Sequence, residues 1–129
     1  MNRHFTIQIR RAYEAPGADD GFRVLVDRLW PRGLSKEKFK FDLWCKDLAP
    51  TSTLRTWFGH NVDRWQGFCE SYEQELRTPE QQELMRDVAA QATQSTITLV
   101  YGAKDTEHNQ AVVLATEMDH LLNAKHKKA

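Results

Sequence analysis

Asp20-Gly-Phe-Arg-Val-Leu-Val-Asp-Arg-Leu-Trp-Pro-Arg-Gly33 is the stretch that decides the fold class of this chain. Its apolar part, from Phe22 to Val26, is typical of a strand covered on both faces, as strands of parallel sheets are. Charged residues and a turn follow at once, so polar groups stand where the strand ends. In open α/β proteins, ligands bind outside the carboxyl ends of the strands. The stretch therefore predicts a buried parallel strand with a site beside it.

Two further segments predict strands. Ser95–Tyr101 is rich in β-branched residues, and Phe5–Arg10 alternates apolar and polar residues. Two buried strands separated by helices imply parallel pairing through right-handed crossovers. We therefore expect an α/β fold with a small, mostly parallel sheet of three or four strands flanked by helices. It would form a single domain over residues 1–123, followed by a disordered basic tail at 124–129.

The helices are expected after Pro50, where apolar residues recur at helical spacing. Thr51 or Ser52, Asn61 and Thr78 are predicted N-caps, because their side-chain oxygens can accept hydrogen bonds from free helix amides. The last helix is predicted to open at Thr106.

Composition limits the function classes. At 129 residues with 40% apolar and 28% charged residues, the chain is an ordinary globular protein. Its net charge is zero, which makes nucleic acid an unlikely partner, although basic residues are in excess before residue 47. That excess suits a small anionic ligand or is simply a solvated basic face.

No apolar run reaches membrane-spanning length, and the start lacks a signal-peptide core, so we expect a cytoplasmic protein without membrane contact. The oligomeric state is left open.

A second polar segment follows the strand that ends at Tyr101. It continues as a loop containing Lys104 and then a helix start, where free amides and the helix dipole attract anions. In a parallel sheet this loop and the loop after Val26 leave the same edge, and arginine's planar fork suits phosphate or carboxylate groups. The ligand-binding candidates are Arg23, Arg28, Trp30, Arg32, Lys104 and Asn109, and the proton-transfer candidates are Asp27, Tyr101 and His108.

These residues also have structural interpretations, which the sequence leaves open. Asp27 and Arg28 could pair with neighbours and hold the loop. Trp30 could be packing before a proline, and His108 could be a surface residue in the first turn of a helix.

No metal or cofactor is indicated. The histidines show no i, i+4 pair, and the chain has neither a phosphate-binding P-loop nor a G-x-G-x-x-G pattern. Cys45 and Cys69 form no C-x-x-C pair and are expected to be buried free thiols, with a disulfide or a reactive thiol as alternatives.

Three segments, Asp20–Gly33, Ala49–Arg55 and Leu99–Ala111, together resemble the YeaO-like family of small bacterial proteins. This family lies within a broader domain family of unknown function. The run Leu25-Val-Asp-Arg-Leu-Trp-Pro-Arg-Gly33 is the most specific part of the match. The resemblance implies an α/β domain in the bacterial cytoplasm and no established activity. Many members of the broader family carry two cysteines in the third segment. Tyr101 and Asn109 stand at those positions here, so the resemblance does not imply thiol chemistry for this chain.

The sequence is compatible with three functions. The first is binding of a small phosphate- or carboxylate-bearing anion at the carboxyl edge of the sheet, with enzymatic activity left undecided. The second is a protein–protein interaction module, suggested by four tryptophans. The third is a nucleic-acid-binding regulatory module, suggested by the basic first third.

Overall fold

Apolar strands organise the molecule around one sheet. The computed structural model describes residues 4–123; the predicted disordered tail lies outside this range. Within it, all strand pairs are parallel and the strand order is β1-β4-β2-β3, which confirms the predicted small parallel sheet. The strands are β1 (Thr6–Arg11), β2 (Phe22–Leu25), β3 (Leu43–Trp44) and β4 (Thr96–Tyr101), and the helices are α1 (Ser52–Phe58), α2 (Trp65–Leu76), α3 (Pro79–Gln91) and α4 (Gln110–Leu122).

The two central strands, β2 and β4, are buried on both faces. Val24 pairs with Leu99 and Leu25 pairs with Val100, and all four side chains are fully buried. This pairing explains why both segments are apolar at nearly every position. It also brings the loops that follow β2 and β4 to the same end of the sheet.

The two faces of the sheet are covered differently. Leu99 and its neighbours on one face pack against all four helices in the main core. Leu25 and Val100 on the other face pack against Phe39, Trp30 and other aromatic residues of the β2–β3 crossover. The described helices therefore flank one face only. A crossover usually contains a helix, but here interlocked aromatic rings cover the sheet instead.

The predicted caps at Thr51, Asn61 and Thr78 are confirmed, since each side chain accepts a hydrogen bond from a backbone amide of the following helical turn. The predicted start of α4 at Thr106 is wrong. The Asp105 carboxylate accepts hydrogen bonds from the amides of Glu107 and His108, which holds this segment in a turn. The helix begins at Gln110 instead.

Candidate functional site

The loops that follow β2 and β4 meet at the carboxyl edge of the sheet. The Gly102 amide, just past β4, donates a hydrogen bond of 2.9 Å to Asp27 Oδ2, just past β2. A cavity of about 450 Å³ opens beside this contact. The β2 loop, the end of α1 and the start of α4 all contribute to its lining. Parallel pairing thus brings together the two segments that sequence analysis singled out.

Asp27 is the bridge between these loops. Besides Gly102, the Gln110 side-chain amide donates to its other carboxylate oxygen. Burial raises the pKa of Asp27 above its ordinary value, and these two hydrogen bonds offset part of the shift. Gly102 allows this close approach, because a Cβ at position 102 would lie 2.8 Å from Asp27 Oδ2 and the carboxylate would have to shift.

Arg28 is held by backbone carbonyls rather than by a carboxylate. Its Nε donates to Pro50 O at 3.2 Å and its Nη2 to Ala49 O at 3.3 Å. These bonds fix the guanidinium against the chain just before α1 while using two of its five N–H donors. The remaining donors stay available on a side chain that lines the cavity.

The end of α1 supplies cavity residues that sequence analysis missed. Arg55 and Thr56 lie in its last turn, and His60 follows the left-handed Gly59 that ends the helix. His60 itself has a positive φ of 59°, an uncommon backbone conformation for a residue other than glycine. Only the Gly59 stop was visible in the sequence, and no local signal indicated that this helix end reaches the sheet edge.

His108 also lines the cavity and lies just before α4. Its Nδ1 lies 2.9 Å from Asp105 Oδ2, and its ring packs edge-on against Trp65 at 5.1 Å. The pKa of Asp105 is lowered, chiefly by the hydrogen bond from the Glu107 amide and further by His108. The imidazole that lines the cavity is therefore oriented by a carboxylate and an aromatic ring.

The charge around the cavity is mostly positive. Arg28, Arg32 and Arg55 line it, and none of them forms an ion pair with any residue between 4 and 123. Asp27 is the only acidic side chain among the described lining residues. The two helix ends add opposing dipoles, since α1 ends and α4 begins here. The excess of positive charge therefore comes from side chains.

Comparisons with known proteins identify the family. Residues 6–129 match the sequence profile of a family described as the inactive DUF488-N3 subclade. The chain belongs to this family.

Relatives of this DUF488-N3 member confirm the YeaO-like resemblance. It is 41% identical over 109 residues to the uncharacterised protein YeaO of Escherichia coli (strain K12), covering 84% of this chain and 93% of YeaO. It is 35% identical over 125 residues to uncharacterised proteins of Mycobacterium tuberculosis and Mycobacterium bovis, covering 97% of this chain and all of each relative. No solved structure matches it.

In this DUF488-N3 member, six of the nine predicted site residues line the cavity and three do not. Arg23 is 5% exposed and pairs with Asp20 on the sheet face opposite the helices. Tyr101 is buried in the core on the helix side, and Lys104 is exposed on the loop surface. Roles for these three residues stay predictions. The six that line the cavity are Asp27, Arg28, Trp30, Arg32, His108 and Asn109.

The predicted anion site at the start of α4 is changed by Asn109. Its Oδ1 accepts hydrogen bonds from the amides of Ala111 and Val112, so the cap residue takes the groups expected to face a ligand. Its Nδ2 donates to the Asp105 carbonyl. Any anion in the cavity would therefore depend on arginine and histidine side chains more than on the helix terminus.

Neither of the two cysteines is among the described residues that line the cavity. Cys45 and Cys69 are free but half-buried, rather than fully buried as expected, and burial raises the pKa of both thiols. No group of three or more His, Cys, Asp or Glu side chains in this part of the chain could hold a metal ion. None of its helices is long and apolar enough to cross a membrane.

Proposed function

We propose that this protein binds a small phosphate- or carboxylate-bearing anion in the cavity at the carboxyl edge of the sheet. The observation that carries the proposal is the charge of the lining. Three arginines without carboxylate partners face a cavity whose one carboxylate, Asp27, is already hydrogen-bonded on both oxygens. An anion would supply the charge that the protein leaves uncompensated.

Arg28 is the anchor in this proposal. Because two carbonyls already fix its guanidinium, little side-chain entropy is lost when the remaining donors bind an oxyanion. Arg32 and Arg55 are exposed and could close on the ligand from the β2 loop and from α1. Arginine–oxyanion hydrogen bonds are charge-assisted and frequently bidentate, which makes them stronger than neutral ones.

Binding without turnover is the form of the proposal that we favour. The family is described as an inactive subclade, which agrees with binding of a ligand that is not followed by a reaction. His108 and Asp27 are the predicted proton-transfer groups that line the cavity. Of the two, His108 suits the role better, because Asp105 orients its ring while both oxygens of Asp27 are engaged.

Thermal unfolding with inorganic phosphate, at fixed ionic strength, tests the proposal. Phosphate should raise the unfolding midpoint of the wild type, and Arg32→Gln and Arg55→Gln should each weaken binding by about tenfold or more, as expected for loss of a charged hydrogen bond worth about 1.5–3 kcal/mol. Both arginines are exposed, so neither change should disturb folding.

Arg86→Gln is the matched control, since Arg86 is also exposed and helical but does not line the cavity. It should bind phosphate as the wild type does. A wild type that phosphate does not stabilise, or Arg55→Gln and Arg86→Gln variants that respond equally, would overturn the proposal.

A further inference from the structure

The cavity is larger than an inorganic anion needs. Its volume of about 450 Å³ lies within the range of roughly 300–1,000 Å³ that is usual for small-molecule pockets. A phosphate or carboxylate held by the arginines would leave most of this space empty. The remaining lining therefore indicates what the rest of the ligand is.

Flat apolar groups make up much of that remaining lining. Phe58 stacks on Phe68 with ring centroids 4.5 Å apart, and both are buried. Trp30 packs edge-on against three aromatic neighbours, which fixes its ring. The aromatic and proline residues that line the cavity are Tyr13, Trp30, Pro31, Pro50, Phe58 and Phe68.

Apart from Thr56 and the two histidines, the polar side chains without charge in the lining form hydrogen bonds to protein partners. The Tyr13 hydroxyl donates to Arg32 O, the Trp30 indole N–H donates to Leu34 O, and the Gln110 amide donates to Asp27. Asn109 uses both ends of its amide. A ligand rich in hydroxyl groups would find few partners here, and burying unpaired polar groups is costly.

From this division of the lining we propose that the ligand is an aromatic ring carrying a phosphate or carboxylate group, with the ring seated against the aromatic and proline side chains and the anionic group on the arginines. This inference rests on the proposed function and narrows it. Aromatic pairs in offset or edge-on geometry add stabilisation beyond that of buried area alone.

Titration calorimetry with three phosphates at fixed pH and ionic strength tests the inference. Inorganic phosphate, a hexose phosphate and phenyl phosphate all carry the same anionic group. Phenyl phosphate should bind at least about tenfold more tightly than inorganic phosphate, because burying one apolar ring stabilises a complex by at least the corresponding free energy. The hexose phosphate should bind no more tightly than inorganic phosphate. Benzoate in a parallel titration distinguishes a carboxylate ligand from a phosphate ligand.

Two substitutions assign the effect to the cavity. Ala103→Leu places extra volume in the lining and should weaken phenyl phosphate by about tenfold while changing inorganic phosphate less than twofold. Leu29→Ser removes an apolar side chain from the cavity lining and should also weaken binding of phenyl phosphate. Because Leu29 is 63% exposed, this change should not disturb folding. Val62→Ser is its control, because Val62 is 50% exposed but does not line the cavity.

The outcomes separate the two proposals. If inorganic phosphate binds and depends on Arg55, but phenyl phosphate binds no more tightly, the aromatic ligand is overturned and anion binding stands. If the hexose phosphate binds more tightly than inorganic phosphate, the aromatic ligand is likewise overturned and anion binding stands. If no phosphate binds and benzoate does not bind either, anion binding itself is overturned. A preference for phenyl phosphate that Leu29→Ser reduces and Val62→Ser does not would support the inference.

Discussion

Two groups of arginines in this small fold are used in opposite ways. On the sheet face opposite the helices, Arg10 and Arg23 share the buried carboxylate of Asp20. At the carboxyl edge, Arg28 is held by two backbone carbonyls and has no carboxylate partner among the described residues. A carbonyl fixes a guanidinium without cancelling its charge, whereas a carboxylate does both. The first group is therefore structural, and the second leaves charge available to a ligand.

The carboxylates of the two regions differ in the same way. Burial acts to raise the pKa of Asp20, but hydrogen bonds from Gly17 and Arg23 and the nearby guanidiniums bring the pKa below its ordinary value. Asp27 receives only neutral amide donors, so burial keeps its pKa raised. One carboxylate is stabilised in its charged form by folding, and the other is destabilised.

The largest effect should come from removing the structural carboxylate. Asp20→Asn leaves the Arg23 guanidinium buried without its counter-charge, and breaking a buried ion pair in this way costs about 3–5 kcal/mol of unfolding free energy. Urea titration followed by circular dichroism measures the loss. Asp19→Asn, at the exposed neighbour, should change stability by less than about 0.5 kcal/mol. Similar stabilities for the two variants would contradict a structural role for the Asp20 ion pairs.

A smaller effect, opposite in its pH dependence, is expected at Asp27. At neutral pH, Asp27→Asn replaces a carboxylate that accepts hydrogen bonds from two amides by a side-chain amide. This change should lower the free energy of unfolding by about 1–3 kcal/mol. Because the folded-state pKa of Asp27 is raised, the cost of burying its charge is relieved as pH falls towards the ordinary value of 3.8, and the wild type should gain on this variant.

Asp20 should show the reverse trend. Its lowered pKa means that its contribution is complete above the ordinary value and is lost as pH falls through the folded-state value. Urea titrations of both Asn variants and the wild type at about pH 7, 5, 3.5 and 2.5 measure the two trends, because the loss at Asp20 lies below its ordinary pKa of 3.8. If the difference from wild type changes in the same direction for both variants, the contrast between the two carboxylates is wrong.

The smallest effect is expected at His60, the cavity residue with left-handed backbone. His60→Gly removes the strain of a positive φ but adds entropy to the unfolded chain, so a net gain of up to about 1 kcal/mol is expected. Phosphate binding should weaken at the same time, because a hydrogen-bonding side chain leaves the cavity lining.

His60→Asn provides the comparison, since asparagine tolerates this conformation better than most residues. Thermal unfolding with and without phosphate measures both properties. A His60→Gly protein that is clearly less stable would contradict the predicted backbone strain. One that binds phosphate as the wild type does would contradict a role for the His60 side chain in the cavity.

Local chemistry in the sequence accounts for much of the fold. The apolar runs around Val24 and Leu99 require strands covered on both faces, and this requirement led to the parallel sheet. Thr51 and Thr78 mark helix starts because a hydroxyl can accept from free amides two or three residues on. The meeting of the β2 and β4 loops then follows, since parallel strands end at the same edge.

The tertiary structure decided what no local pattern contains. Arg23 and Arg28 are five residues apart, yet their environments differ. Arg23 lies in β2 and forms an ion pair with Asp20, whereas Arg28 lies past the end of β2, donates to Pro50 O and lines the cavity. The α1 end reaches the cavity only through packing of the whole helical layer, which brought in Arg55 and His60. The sequence determined which segments are strands and helices, through short-range hydrogen bonding and apolar spacing. Which charged side chains lack a carboxylate partner depended on contacts between distant segments.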